Sequence, residues 1–162
     1  MELIVAVDRD WAIGRGEQLL FSIPEDLARF KALTLGKAIV YGRKTMATFP
    51  GGKPLPGRAN YVLTHHPEQI LAPARGFASA ETLLEAAERE PELFVVGGQQ
   101  VYEQLLPLCR GAWVTRIDAR GGGDRFFPDL DRMPEWQLAE ASAWKDWQGL
   151  RFRFCHYLRK SN

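Results

Sequence analysis

Apolar residues fall along this chain in short unbroken runs, and between the runs lie segments of helical period. Glu2–Val7, Ala38–Tyr41, Asn60–Thr64 and Leu93–Val96 read as buried strands, with Phe77–Ala78 as a further short one. Runs without polar alternation suit strands covered on both faces. Pro24–Thr34, Ala80–Arg89 and Gln99–Leu106 carry apolar residues at helical spacing, and Gly42 leads into a helix of one or two turns. Residues 9–22 and Gly51–Gly57, rich in Gly, Pro and charge, read as loops. From Ala112 the pattern changes to period two. Ala112–Ile117, Trp136–Glu140 and Arg151–Leu158 read as longer strands, most clearly in Arg151-Phe152-Arg153-Phe154. The expected class is α/β: a mainly parallel central sheet of about eight strands, an antiparallel C-terminal edge, and helices on both faces.

Composition narrows the function without naming it. A chain of 162 residues fits one domain spanning 1–162. Hydrophobic residues at 46% and charged residues at 25% describe a globular chain rather than a disordered one. Lys and Arg number 21 against 20 Asp and Glu, so the net charge of +1 offers no field for nucleic acid or an anionic membrane. No apolar run approaches the ~20 residues that span a bilayer. The Leu3–Val7 run stops at Asp8-Arg9-Asp10, unlike a secretory signal. Cys109 and Cys155 stand alone, with no metal spacing to His65, His66 or His156, and two lone thiols fit a reducing cytoplasm. The expectation is a cytoplasmic protein without a metal, acting on small molecules.

Three places carry chemistry out of register with their surroundings. Ser22-Ile23-Pro24-Glu25 has the spacing of a capping box with Pro inside the helix start. Counted from there, Asp26 falls on the apolar stripe with Leu27, Phe30 and Leu33, whereas Glu25 and Arg29 share the opposite, solvated face. A carboxylate on a buried face must be hydrogen-bonded; the plainer alternative is that Asp26 complements the helix dipole. The second place is Gly42-Arg43-Lys44-Thr45, where two cations sit at a helix start and oppose the dipole unless an anion binds there. Otherwise both side chains simply point into water. The third is Gly97-Gly98, again between a buried strand and a helix, which reads either as a tight turn or as a close approach to a phosphate. GxGxxG and Walker loops are absent, and the serines have no nucleophile-elbow context.

In these positions the chain resembles the bacterial, chromosomal type of dihydrofolate reductase over essentially its whole length. The resemblance rests on Ala12-Ile13-Gly14, Ile23-Pro24-Glu25-Asp26-Leu27 with Phe30-Lys31, and Gly42-Arg43-Lys44-Thr45. It continues through Pro54-Leu55-Pro56-Gly57-Arg58, Gly97-Gly98-Gln99-Gln100-Val101-Tyr102, Thr115-Arg116-Ile117-Asp118 and Gly123-Asp124 with Phe127-Pro128. The family reduces dihydrofolate to tetrahydrofolate with NADPH, and antifolates bind it.

The resemblance implies roles. Asp26 becomes the carboxylate of the pterin pocket, working with Thr115 and with Phe21 as an aromatic wall. Val5, Ala6, Leu27, Phe30, Phe49, Leu55 and Val96 line the substrate slot, with Lys31 beside it. Arg58 clamps the glutamyl carboxylate. For the cofactor, Arg43, Thr64 and His65 face the 2′-phosphate, with Gly42 and Leu63 at the adjoining strand ends. Lys44, Thr45 and the turn Gly97–Gln100, leading into Val101 and Tyr102, hold the pyrophosphate. Ala6 and Ile13 border the nicotinamide, under a closing loop from Arg9 to Ile23, and Gly14, Leu19 and Val96 are further cofactor contacts. Two positions depart from the family: Leu20-Phe21 stands where Pro-Trp is usual, removing an indole N–H donor, and Phe126 replaces a commonly polar residue. Two other readings are a same-fold reductase of a pyrimidine in riboflavin synthesis and a non-catalytic NADPH-binding protein. The Asp26, Phe30 and Arg58 set argues against the former, and Phe21 is what makes the latter conceivable. The family default is a monomer.

Overall fold

In the computed structural model, which describes residues 1–16 and 18–161, the elements alternate along the chain. They are β1 (Glu2–Val7), β2 (Ala12–Arg15), β3 (Gln18–Leu19), α1 (Pro24–Thr34), β4 (Ala38–Gly42), α2 (Arg43–Met46), β5 (Ala59–Leu63) and β6 (Arg75–Phe77). Then follow α3 (Ala80–Ala86), β7 (Leu93–Gly97), α4 (Gln99–Leu105), β8 (Gly111–Ile117), β9 (Arg125–Phe126), β10 (Trp136–Ala141), β11 (Lys145–Trp147) and β12 (Leu150–Arg159). Glu17, inside the loop expected over 9–22, and Asn162, at the end of the expected domain, lie outside the described residues.

The main sheet runs β10-β12-β8-β1-β7-β4-β5-β6, with β11 paired to β12. From β8 to β6 every pairing is parallel, while β12 lies antiparallel to both β8 and β10. Side-chain alternation divides the interior into two layers. Leu3, Val5 and Val7 join Val40, Val95 and Val114 in a core closed by Leu83 of α3 and Leu105 of α4. Ile4 and Ala6 point the other way. There Ile39, Tyr41, Val62 and Phe94 form one cluster, and Ile23, Ile117 and Phe152 form another.

A second sheet, β3-β2-β9, crosses the carboxyl end of the first. One buried carboxylate fastens it. Asp8 takes the N–H groups of Asp10 (2.8 Å) and Ala12 (2.9 Å) on Oδ1 and that of Gly121 (2.8 Å) on Oδ2. The arrangement joins the loop after β1 to the loop after β8. Asp124 adds a second tie, donating its N–H to the Gly14 carbonyl and accepting that of Gly16 at 2.8 Å. A Cβ on Gly123 would stand 2.6 Å from the Gly14 oxygen, so the two loops meet only because that residue has no side chain.

Several expectations need revision. Residues 9–22, read as loop, hold β2 and β3, and β9 and β11 also escaped the pattern. Strands of two to four residues are too short to display a period. The helix expected over Ala80–Arg89 ends at Ala86 and leaves through a turn closed by the Glu90 N–H on the Ala87 carbonyl. Pro91, next in sequence, disfavours helix at Glu90. Ser22 does not cap α1. Ile23 occupies the N-cap with no side-chain bond, and Pro24 alone marks the start.

Candidate active site

The carboxyl ends of β1, β4, β5, β7 and β8 deliver most of the singled-out residues to one edge of the sheet, the general location of ligands in open α/β folds. Register explains the convergence. Ala6 pairs with Thr115, and Gly42 with Leu63, so Arg43 and Thr64 emerge side by side.

Asp26 and Thr115 meet from different elements. The Thr115 hydroxyl, 4% exposed on β8, donates to Asp26 Oδ1 on α1 at 2.5 Å. Burial pushes the Asp26 carboxyl above the usual carboxylate range, opposed by the Thr115 hydrogen bond and the positive charge of Arg29. The stripe on which Asp26 lies is not core. Leu27 is 52% exposed and Phe30 only partly buried, so this face of α1 borders open space rather than packed side chains. Lys31 is exposed beyond Leu27. Phe21 and Ala6 pack together against Ile23 and Ile117, while Phe49, Leu55, Val96 and Ile4 gather around Ile39 and Tyr41. Phe49 meets Tyr41 edge to face at 4.9 Å.

Val5 points into the other layer, so only its backbone faces this side of β1. Ile4, which the sequence reading passed over, shares the face of Ala6, and its carbonyl accepts the Tyr102 hydroxyl at 2.6 Å. Period two counted back from Ala6 was the available signal. By helical spacing Glu25 and Arg29 share a solvated face; Glu25 is exposed as expected, and the structure corrects Arg29 alone. Glu25 lies 3.6 Å from Lys145, whereas the Arg29 guanidinium lies over Phe154 at 4.2 Å.

Arg58 is braced for a bidentate partner. Its Nε donates to Thr34 Oγ1 and one terminal nitrogen to the Pro56 carbonyl, both at 3.0 Å. Its remaining terminal nitrogen has no partner among the described residues. Asn60 shapes the loop beneath it, with Oδ1 accepting the Leu55 N–H and Nδ2 donating to the Leu55 and Arg58 carbonyls.

The second half of the edge suits an extended polyanion. Arg43 and Lys44 open α2 exposed, with no ion pair among the described residues, and His65 is exposed just beyond the end of β5. Thr64 is buried and accepts the His66 N–H at 3.1 Å. Opposite, the Gly97–Gly98 peptide is cis, and a Cβ on Gly98 would touch Thr45 Oγ1 at 3.5 Å. Beyond it, Gln100 is exposed in the first turn of α4. Val101 leaves only 3.2 Å for a Cβ at Gly42, so α2 and α4 start close together. Gln99 reaches across to accept the Phe126 N–H at 2.9 Å, tying α4 to the second sheet. In that sheet Ile13 and Gly14 sit on β2, and Leu19 opposes Gly14 from β3. Among the described residues, no group of three His, Cys, Asp or Glu could hold a metal ion, and no helix is long and apolar enough to cross a membrane.

The dihydrofolate reductase family profile matches residues 1–159. A dihydrofolate reductase of Neisseria meningitidis serogroup B is 40% identical over 158 residues, covering 97% of this chain and 96% of its own. That of Mycobacterium tuberculosis H37Rv is 38% identical over 162 residues, covering 97% and 96%. The solved Enterococcus faecalis dihydrofolate reductase, complexed with NADP(H) and RAB-propyl, superposes with a TM-score of 0.87 at 29% identity, covering 99% of this chain and 96% of that one.

Proposed function

This chain belongs to the dihydrofolate reductase family, and from that membership we infer that the edge just described is where it reduces 7,8-dihydrofolate to tetrahydrofolate with NADPH. The observation that carries the reading is the Asp26–Thr115 pair, a partly buried ionisable carboxyl beside the apolar slot. Asp26 hydrogen-bonds the amide and amino group of the pterin ring, and Thr115 holds the carboxyl in place. The negative charge of Asp26 favours the protonated form of the substrate's imine nitrogen, which receives its proton from solvent. Ala6, Leu27, Phe30, Phe49, Leu55 and Val96 enclose the flat ring and its aryl tail, Lys31 lies beside them, and Arg58 takes a tail carboxylate.

NADPH, when bound, supplies the hydride. The chain's own groups fit it. Arg43, Thr64 and His65 suit its 2′-phosphate, and the backbone between Thr45 and Gly98 suits its pyrophosphate. The β2–β3 hairpin, held by Asp124, covers the site and excludes water. The protein works as a single-domain cytoplasmic monomer, in keeping with two buried free thiols, and sedimentation of the purified chain tests the monomer. The reaction itself is tested by absorbance of NADPH with dihydrofolate, in the wild type and Asp26→Asn. Turnover that collapses in the variant supports the reading, and equal turnover overturns it.

A further inference from the structure

A cavity of about 510 Å³ opens beside α1, and none of the residues assigned to the slot lines it. Arg29, Trp113, Glu140, Ser142, Phe154 and His156 line it. It is an open recess rather than an enclosed void, with room for a small aromatic molecule. Arg29 reaches it one turn after Asp26, with its guanidinium 4.2 Å from the Phe154 ring centre and 5.3 Å from that of Trp113. Aromatic faces attract a cation but accept none of its five N–H groups in an ordinary hydrogen bond. Among the described residues, Arg29 has no carboxylate within ion-pair distance and no hydrogen-bond acceptor. Burial pulls its pKa below the usual guanidinium value, opposed by the charge of Asp26. Two rings of the cavity wall support each other. His156 stacks on Trp113 with centres 3.6 Å apart and planes 7° from parallel. Glu2 fixes both rings, accepting Trp113 Nε1–H at 3.2 Å and lying 3.1 Å from His156 Nε2.

We propose that this cavity is a second binding site, for a small aromatic carboxylate held by the Arg29 guanidinium against the Trp113, Phe154 and His156 rings, and that its occupancy alters the pH dependence of the reaction in the neighbouring cleft. The second half rests on the assignment of Asp26 to that reaction. Asp26 is faced by Arg29 on its own helix and Thr115 on β8, and the buried Tyr102 hydroxyl on α4 lies within its field. Arg29 in turn is faced by Asp26, by Glu140 from β10 and by His156 from β12, with the Cys155 thiol also in its field. A bound carboxylate cancels the Arg29 charge. Losing a nearby positive charge raises the proton affinity of Asp26 and of any substrate nitrogen beside it, so the midpoint of the pH–rate profile moves upward in either case.

Benzoate is the probe, with neutral benzamide as control. Binding is followed in the NMR signals of the Trp113 indole N–H and the His156 ring, with NADPH and an antifolate filling the cleft so that Arg58 is covered. Saturable shifts with benzoate are expected, weakened roughly tenfold or more by Arg29→Met and for benzamide, and strengthened by Glu140→Gln, an exposed substitution that spares the fold. At saturating dihydrofolate, benzoate and Arg29→Met should both raise the profile midpoint. The proposal falls if shifts are absent, if benzamide or Arg29→Met binds as well as benzoate binds wild type, or if benzoate saturation leaves the midpoint in place. Because binding is read spectroscopically, an inactive protein would overturn the assigned reaction and the coupling while the cavity was judged by its own signals.

Discussion

Thr115→Val isolates one hydrogen bond. Valine keeps the shape of a side chain that is 4% exposed and removes only the donor to Asp26 Oδ1. A hydrogen bond to an ionised partner contributes about 1.5–3 kcal/mol. The bond favours the carboxylate over the acid, and its loss pushes a carboxyl already raised by burial further up. The penalty therefore depends on pH. It reaches about 1.5–3 kcal/mol above the carboxyl's titration in the folded state and shrinks as pH falls through that titration, because the acid form never relied on the donor. For a domain of this size that corresponds to a loss of about 4–10 °C in Tm at the higher pH. Thermal unfolding of both proteins across a pH series measures it, and kcat/KM for dihydrofolate should fall by about one to two orders of magnitude. An equal loss of Tm at every pH would mean that Thr115 serves packing alone. An unchanged pH–rate profile would remove it from the site.

Asp26→Asn should retain the fold and NADPH binding but lose turnover, with the loss growing as pH rises. Because the folded carboxyl is raised above its unfolded value, ionisation there destabilises the protein, so the variant should unfold at a higher temperature near neutrality and show no gain in acid. Arg43→Ala should raise KM for NADPH far more than for NADH, and equal effects would detach Arg43 from the 2′-phosphate. Arg58→Lys keeps the charge but loses the bonds to Thr34 and Pro56 and the fork between them. KM for dihydrofolate should rise roughly tenfold or more with kcat little changed, and an unaltered KM would release Arg58 from the tail carboxylate.

Most of the sheet was legible because its strands are long enough to reveal their burial. Leu3, Val5 and Val7 pack on one side of β1, and its neighbours Ile4 and Ala6 on the other, so the run is apolar throughout. The second sheet was not legible. It is held by the Asp8 carboxylate and by backbone bonds around Gly14 and Asp124, none of which leaves a periodic trace. Asp26 could be picked out as an acid on an apolar stripe, but the stripe faces open space, which a helical wheel cannot distinguish from core. Its partner Thr115 is 89 residues away, and only the resemblance joined them beforehand. Arg29 was misread for a related reason. A cation beside Glu25 looks solvated until Phe154, from the far end of the chain, is seen beneath it.

β1 lies inside the sheet, and its neighbours are made long after it. Glu2 pairs with Phe94 on one side and Gly111 on the other, and β8 in turn needs β12 to cover its free edge. A growing polypeptide therefore carries Leu3–Val7, apolar and rich in strand formers, without either neighbour until β7 and β8 have been synthesised. Contacts so distant slow the search for the native state, and an unpaired strand is prone to associate with other chains meanwhile. During synthesis, then, the segment that ends at the heart of the protein is one that a chaperone's shelter would serve.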